Sequence, residues 1–363
     1  MRKKLYSIQV LRGIAALFIV VLHAYVHLEA RKLIPEVPSF VNSGRAGVDI
    51  FFVISGFIMV YISGDKFGKK GAVPDFLTKR IIRVVPIYWV YTLLMAAFLF
   101  FAPHLFSQGK SFDFHLFLAS LLFIPWQDSL GYIKPVLQVG WTLNYEMYFY
   151  LVFATLLLFS ARLFPILMMS ILLSGFLVGQ VVDSIHPIFS VMTSSLLMEF
   201  LMGCFIGIVF SRFHIDQHES VGVMMLFVGS LLLVLTGLYD VVDVSRTIKW
   251  GVPSAIILTG AILLENRAGS NFHHLLTKLG DSSYSLYLTH IFTINAIGKI
   301  WHTFFGSMYD VFIVVAVVTS VIAGYIAHVV LEKPLISYLN KLYSMKKNKK
   351  PDSYFSEKVH KER

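Results

Sequence analysis

The sequence predicts an all-α integral membrane protein with about ten transmembrane helices and both termini in the cytoplasm. Of its 363 residues, 56% are hydrophobic and 14% are charged, whereas soluble domains carry about 25% charged residues. Its apolar runs are also long enough to cross a bilayer as helices. These runs lie at 10–28, 45–63, 84–102, 140–160, 163–182, 189–211, 221–239, 249–265, 283–301 and 310–331.

The charge distribution predicts how these helices are oriented. An even number of spans places both termini on one side, and most of the 31 Lys and Arg residues fall in segments on that side. Cytoplasmic segments carry such an excess of positive charge. Orientation in the lipid bilayer therefore explains the net charge of +10, and we expect no nucleic-acid partner. The interpretation divides the chain into a transmembrane domain at 1–334 and a basic cytoplasmic tail at 335–363, which we expect to be partly disordered.

The sequence contains few other signals of secondary structure, disulfide bonds or bound ligands. A short apolar run at 114–125 is typical of an interfacial or re-entrant helix, within an outer loop at 103–139 that is long enough to cover a site. The single cysteine, Cys204, excludes an intramolecular disulfide. No residue set has metal-ligand spacing and no glycine loop binds phosphate. We therefore expect neither a metal nor a bound cofactor.

The first span holds two ionisable residues in an otherwise apolar run, VLRGIAALFIVVLHAY. Ionisable side chains are costly inside a membrane, so Arg12 and His23 are candidates for function. Their spacing corresponds to three helical turns plus about 20°, which places both on one helix face roughly 16 Å apart along the axis. The face therefore combines a permanent cation near the cytoplasm with a titratable imidazole in the outer third.

Two carboxylates on other spans are expected at the depth of His23. In the predicted topology the second and fourth spans both begin at the outer surface. Asp49 lies near the start of the second span, and Glu146 lies about two turns into the fourth. A histidine beside carboxylates in low dielectric has the composition of a general-base site, because a carboxylate holds the imidazole tautomer. The same residues are also typical of a structural polar cluster between helices, and depth alone leaves both interpretations open.

A pair of arginines lies near the cytoplasmic surface. Arg80 and Arg83 are three residues apart, at what the sequence predicts to be the start of a helix. Arginine forks bind phosphate groups in a bidentate manner. Ordinary positive-inside charge is the alternative explanation, but Arg12 lies within a span on the same side and favours a site for a phosphorylated ligand.

Aromatic residues on the outer side, and a tyrosine and a histidine in the inner half of the ninth span, are further candidates. Trp141 and Tyr145 offer flat apolar faces near Glu146, which suit a carbohydrate, although interfacial aromatic belts are common in membrane proteins. Tyr287 and His290 are three residues apart on the ninth span. They either line the same cavity or form structural hydrogen bonds.

Several of these residues fall in motifs that resemble the membrane-bound acyltransferase 3 family. The resemblance extends from residue 11 to residue 334. The matching stretches are Arg12 and His23, GVDIFFVISGF at 47–57, Arg80, Arg83, Pro86 and Tyr88, WTLNYEMYFY at 141–150, SYSLYLTH at 283–290, and Glu332, Lys333 and Pro334.

The resemblance implies ten helices and transfer of an acyl group, usually acetyl, from cytoplasmic acyl-CoA to a hydroxyl of an extracytoplasmic glycan. It implies acetyl-CoA as the donor substrate and a surface polysaccharide or lipid-linked glycan as the acceptor, in a bacterial inner membrane. The implied roles are acyl-CoA binding by Arg12, Arg80, Arg83 and Tyr88, catalysis by His23 with Glu146 or Asp49, and acceptor binding by Trp141, Tyr145 and His290.

Other interpretations of the same sequence remain open. His23 acts either as a general base or as a covalent acyl carrier. Intramembrane charges and polar residues are also typical of a transporter of glycan or lipid-linked precursors, although no inverted repeat or pair of broken helices is visible. A membrane-embedded sensor or scaffold is the third alternative, which the common depth of the polar residues disfavours.

Overall fold

The computed structural model describes residues 4–102, 112–182, 184–212, 218–239, 244–265 and 271–348. These residues form α-helices and no named strand, which confirms the all-α prediction. The helices are α1 Tyr6–Ala30, α2 Ala46–Ser63, α3 Ala72–Phe101, α4 Phe114–Leu121, α5 Trp141–Leu156, α6 Phe164–Val181, α7 Pro187–Met192, α8 Leu197–Arg212, α9 Glu219–Leu238, α10 Val252–Leu263, α11 Asn271–Asp281, α12 Ser283–Phe304, α13 Tyr309–Ala327 and α14 Lys333–Asn348.

Each of the ten predicted apolar runs overlaps at least one of these helices. Seven helical segments of the described chain are long and apolar enough to cross a membrane, which makes the chain a multi-pass membrane protein. The runs that fall outside this set form α5, which has 16 residues, α10, which has 12, and the more polar α12. The total of ten spans and the cytoplasmic termini remain predictions.

Helix α1 lies at the centre of the fold, packed against α2, α10, α11, α12 and α13. Its first turn is capped from another part of the chain. The carboxylate of Glu265 accepts hydrogen bonds from the backbone N–H groups of Tyr6 and Ser7, and from the Ser7 hydroxyl. A carboxylate at this position satisfies N–H groups that have no partner within the helix and complements the helix dipole.

Glycines allow α2 and α8 to pack backbone against backbone. A Cβ added to Gly56 would collide with the Phe200 carbonyl, and one added to Gly203 would collide with the Val53 carbonyl. Small residues at such crossings permit close packing between membrane helices. This contact fixes α8 against the middle of α2, one to two turns beyond Asp49.

Helix α3 begins twelve residues before the predicted span at 84–102. The left-handed Gly71 ends the preceding turn, and Asp75 lies in the first helical turn. Arg80 and Arg83 are therefore in the third and fourth turns of a long helix rather than at its start. Because they share one face of α3, both reach the neighbouring helices.

The start of the basic tail is also helical. Residues 333–348 form α14, and Tyr343 and Lys347 contact the carboxylate of Asp75 at 3.3 and 3.4 Å. Residues 335–348 of the tail are therefore ordered, with side chains of α14 bound to the first turn of α3, and partial disorder of the tail stays a prediction. The rest of the predicted tail, 349–363, and the loop residues 103–111 lie outside the described residues.

Candidate active site

A cavity of about 230 Å³ lies between α1, α2, α3, α5 and α12. We call it the arginine cavity, because Arg12, Arg80 and Arg83 line it from two helices. Glu146 and Tyr150 of α5 line the same cavity. The remaining wall is formed by Ile8, Gln9, Val48, Phe51, Phe52, Ile54, Ser55, Ile58, Met59, Val84, Thr142, Leu143, Ser283, Tyr284 and Tyr287.

The three arginines differ in how firmly they are held. Arg83 forms an ion pair with the fully buried Glu332. Within the described residues, the hydrogen bond of Arg12 is a long one of 3.3 Å, from its Nη1 to the Oε1 of Gln9. The Nε of Arg80 is buried without a hydrogen-bond partner in the described structure. Arg12 and Arg80 therefore retain donors for a ligand.

Glu332 organises the far side of Arg83. Its second carboxylate oxygen accepts a hydrogen bond of 2.6 Å from the Ser285 hydroxyl and lies 3.0 Å from Nδ1 of His328. Glu332 ends a π-helical turn at 328–332 that joins α13 to α14, and such turns often occur at functional sites. These contacts fix the carboxylate, which in turn fixes the guanidinium at the cavity wall.

Glu146 belongs to the arginine cavity rather than to the surroundings of His23. Its carboxylate accepts hydrogen bonds from the Ser55 hydroxyl, at 3.1 Å, and from the Tyr150 hydroxyl. Together Glu146 and Glu332 offer two negative charges against the three arginines. The cavity therefore has one positive charge in excess, which suits an anionic ligand.

His23 is paired with another histidine. Its Nδ1 lies 2.7 Å from Nε2 of His290, and Nδ1 of His290 lies 3.1 Å from the carbonyl oxygen of Leu286. His290 is fully buried, whereas His23 is half-buried. Tyr287, which lines the arginine cavity, lies 6.0 Å from the His290 ring between centroids. The histidine pair is thus separated from the cavity by a layer that includes Tyr287.

Asp49 lies in a different cluster, which we call the Asp49 cluster and define by Asp49, Glu199 and Arg246. Arg246 donates two hydrogen bonds to the Asp49 carboxylate, from Nε at 3.0 Å and from Nη2 at 2.8 Å. Glu199 is fully buried near Asp49, and neither of its carboxyl oxygens has a hydrogen-bond partner in the described structure. Two neighbouring buried carboxyl groups repel each other unless one of them is protonated.

The aromatic residues predicted to bind the acceptor lie beside the Asp49 cluster. The guanidinium carbon of Arg246 lies 5.7 Å from the centre of the Trp141 ring. Tyr145 meets Trp141 edge to face, with 5.7 Å between ring centroids. The structure therefore brings Trp141 and Tyr145 together, whereas His290 is with His23.

The structure corrects the prediction that His23, Asp49 and Glu146 lie at one depth. Gly47 is in contact with Ala15 and Ile19, which lie two turns and one turn before His23 on α1. Because α2 continues away from His23, Asp49 cannot lie level with it. The hydrogen bonds of both carboxylates in the described structure go to other residues, so neither orients the imidazole by direct contact.

Tyr88 does not lie with the three arginines predicted to bind acyl-CoA together with it. It is fully buried, its ring packs beside Phe123 at 4.8 Å between centroids, and a Cβ added to Gly140 would meet that ring. It does not line the arginine cavity. Although Arg80, Arg83 and Val84 on the same helix face the cavity, Tyr88 lies one turn further on, against the segment that precedes α5.

Sequence reasoning missed three charged residues of these clusters as site residues. Glu199 is a carboxylate within the apolar run at 189–211, which is a signal of the same kind that identified Arg12. Arg246 falls in a loop and Glu332 at the end of a span, where charges are ordinary. Their importance comes from partners that are distant in the sequence.

Comparison with known proteins gives consistent results. A family model described as an acyltransferase domain, that of acyltransferase 3, matches residues 5–329. The exopolysaccharide production protein ExoZ of Rhizobium meliloti (strain 1021) is 33% identical over 301 residues, which are 81% of this chain and 90% of that protein. The peptidoglycan O-acetyltransferase OatA of Listeria monocytogenes is 26% identical over 166 residues, 43% of this chain and 25% of that protein. No solved structure matches.

Proposed function

Because this chain belongs to the acyltransferase 3 family and is an acyltransferase, we propose that it O-acetylates a polysaccharide. In this proposal the donor is cytoplasmic acetyl-CoA, and the acceptor is a hydroxyl group of a surface polysaccharide or lipid-linked glycan. The names of ExoZ and OatA support a glycan acceptor and, for OatA, an acetyl group. The protein would work in a bacterial inner membrane with both termini in the cytoplasm.

The observation that carries the proposal is the positive charge of the arginine cavity. Coenzyme A is rich in phosphate groups, and arginine is well suited to binding them. Arg12 and Arg80 would contact the phosphates with their unpaired donors, while Arg83 is held in position by Glu332. The remaining apolar lining of the cavity suits the uncharged arm that carries the thioester.

The reaction would take place beyond Tyr287, at His23. His23 would accept the proton of the acceptor hydroxyl while the hydroxyl oxygen bonds to the thioester carbonyl carbon. The carbon–sulfur bond then breaks, and the CoA thiolate takes the proton from the imidazolium. The products are an acetyl ester and free CoA. Trp141 and Tyr145 are the residues that we propose to contact the acceptor sugar.

The proposal is tested in the host bacterium by deleting the gene and examining the surface glycan by NMR for ester-linked acetyl groups. Wild type should restore the ester signals, and His23→Ala should not, although it reaches the membrane in normal amounts. His302→Ala on α12 serves as the matched control and should restore them, because His302 lies outside the proposed site. Ester signals in the His23→Ala strain at normal protein levels would contradict the assignment.

The same experiment separates the enzyme from a transporter. Loss of the enzyme leaves the glycan at the cell surface without its ester groups, whereas loss of a transporter retains the glycan inside the cell. A second measurement separates direct transfer from a covalent route. Radiolabelled acetyl-CoA without acceptor should leave no label on the protein if transfer is direct, and label on His23 would establish an acetyl-histidine intermediate.

A further inference from the structure

The contact between His23 and His290 is an in-line hydrogen bond rather than a stacking contact. The two ring planes differ by only 15°, and their centroids are 4.9 Å apart. The separation of the centroids is about equal to the 2.7 Å nitrogen–nitrogen distance plus, for each ring, the distance from its centroid to its facing nitrogen. The facing nitrogens therefore lie close to the line between the centroids, as they do when one ring donates a proton to the other in nearly the same plane.

The backbone decides which ring donates. Nδ1 of His290 faces the carbonyl oxygen of Leu286, and a carbonyl oxygen only accepts hydrogen bonds. Neutral His290 therefore carries its proton on Nδ1 and presents a lone pair at Nε2. The hydrogen bond between the rings then requires a proton on Nδ1 of His23. In neutral His23 this leaves the lone pair on Nε2.

We propose that His290 is a positioning residue that fixes His23 in the tautomer required of a general base. This inference rests on the proposed function and replaces the predicted acceptor-binding role of His290. When His23 accepts the substrate proton at Nε2, its Nδ1–H group still points at a lone pair of His290. The resulting imidazolium is therefore stabilised by a hydrogen bond that is already formed.

The other charged groups around His23 do not supply this orientation. Among the described residues, the charged side chains with a resolved electrostatic effect on the His23 ring are Arg45 and Lys134, and both are cations. Asp49 is bound by Arg246, and Glu146 accepts hydrogen bonds from Ser55 and Tyr150. A buried imidazole thus takes the position that a carboxylate occupies in many histidine-dependent sites.

A second histidine pair between α1 and α12 provides an internal control. His27 and His302 also have nearly parallel rings, but their centroids are 6.3 Å apart. In the described structure, Nε2 of each has no hydrogen-bond partner. The same two helices therefore carry one hydrogen-bonded pair and one pair in looser contact.

The direct test is the tautomer of His23 in the full-length protein, labelled with ¹⁵N-histidine and reconstituted in lipid nanodiscs. The His23 signals are assigned as those missing from the His23→Gln variant. We expect protonated Nδ1 and unprotonated Nε2 in the wild type. His290→Gln should preserve this pattern, because its amide oxygen accepts a hydrogen bond, whereas His290→Phe should mix the two tautomers. His302→Phe should leave it unchanged.

A kinetic measurement accompanies the spectroscopic one, with acetyl-CoA as donor and the host's de-esterified polysaccharide as acceptor. His290→Phe should lower kcat by about 10²- to 10⁴-fold, as expected when a general base loses its correct protonation. KM for acetyl-CoA should stay within about twofold, since no binding contact is removed. His290→Gln should recover much of the loss, which a purely structural role would not predict.

Two results would overturn the inference. One is a wild-type His23 with its proton on Nε2, and this measurement does not depend on whether any variant folds. The other is an unchanged tautomer in His290→Phe. The proposed function fails separately, if the wild type transfers no acetyl group even though its His23 tautomer is the one expected. An active wild type with the opposite tautomer refutes the positioning role alone.

Discussion

Two buried charge clusters in this protein have opposite compositions. The arginine cavity places Arg12, Arg80 and Arg83 against two carboxylates, Glu146 and Glu332. The Asp49 cluster places one arginine, Arg246, against the carboxyl groups of Asp49 and Glu199. The first therefore has a surplus cation next to open volume, and the second has a surplus carboxyl group in a packed interior.

On the proposed function, this difference separates a ligand site from a structural site. In the arginine cavity the Nε of Arg80 has no hydrogen-bond partner in the described structure, so a bound anion would supply the missing acceptor. In the Asp49 cluster both nitrogens that face Asp49 are already used, and an anion would add to the excess of negative charge. We infer that the Asp49 cluster ties α2, α8 and the segment before α10 together. The following predictions test this contrast.

The largest effect is expected from Arg246→Met. The substitution leaves Asp49 and Glu199 buried side by side without their counter-charge. Removing one partner of a buried ion pair costs about 3–5 kcal/mol, and the loss should appear as a lower unfolding temperature of the purified protein in detergent. Adding Glu199→Gln to this variant should restore part of the stability. An unchanged unfolding temperature for Arg246→Met would show that the cluster does not stabilise the fold.

A smaller and different effect is expected from Arg80→Gln. Loss of a charge-assisted hydrogen bond to a ligand costs about 1.5–3 kcal/mol, which corresponds to a KM for acetyl-CoA raised roughly 10- to 100-fold. The unfolding temperature should change little, since the Nε of Arg80 has no partner to lose.

Lys79→Gln is the matched control for Arg80→Gln. Lys79 is the preceding residue on α3, and its ammonium group pairs with Asp75 at 2.9 Å on the exposed surface. The substitution removes the same charge from the same turn but outside the cavity, so KM should be unchanged. Equal increases in KM for both variants would mean that general positive charge, rather than the cavity, attracts the donor.

The smallest effect is expected from Glu199→Gln. If Glu199 and Asp49 share a proton, an amide replaces the protonated acid with nearly the same shape and removes the excess charge. The free energy of unfolding should then change by less than about 1 kcal/mol, as measured by denaturant titration. A loss comparable to that of Arg246→Met would show that Glu199 is ionised and essential to the cluster.

Much of the fold could be predicted from the sequence because the signals are local. Each of the ten apolar runs overlaps at least one helix, since a membrane segment must satisfy its backbone hydrogen bonds internally. The candidates Arg12, Arg80 and Arg83 do meet at one cavity. An ionisable side chain within or beside an apolar run is energetically costly, and this local signal identifies the three residues from the sequence alone. The motifs that resemble the acyltransferase 3 family also led to the family that the whole-chain comparison shows.

The pairings of the polar residues could not be predicted in the same way. A depth counted in residues from the end of a span ignores how far one helix is shifted along its neighbour. The contact of Gly47 with Ala15 and Ile19 sets that shift for α2 and moves Asp49 away from His23. Glu146 is similarly turned towards Ser55, a contact that depends on the rotation of α5.

The sequence by itself determined the class of protein and the chemical types that its site contains: an arginine face, a histidine and buried carboxylates within apolar helices. Hydrophobicity and charge are properties of each segment, so they can be read without knowing its neighbours. Only the tertiary structure decided the partners, giving His290 to His23, Arg246 to Asp49 and Glu332 to Arg83. Helix register and rotation come from packing between segments more than 190 residues apart, and hydrogen bonds of about 3 Å depend on that register.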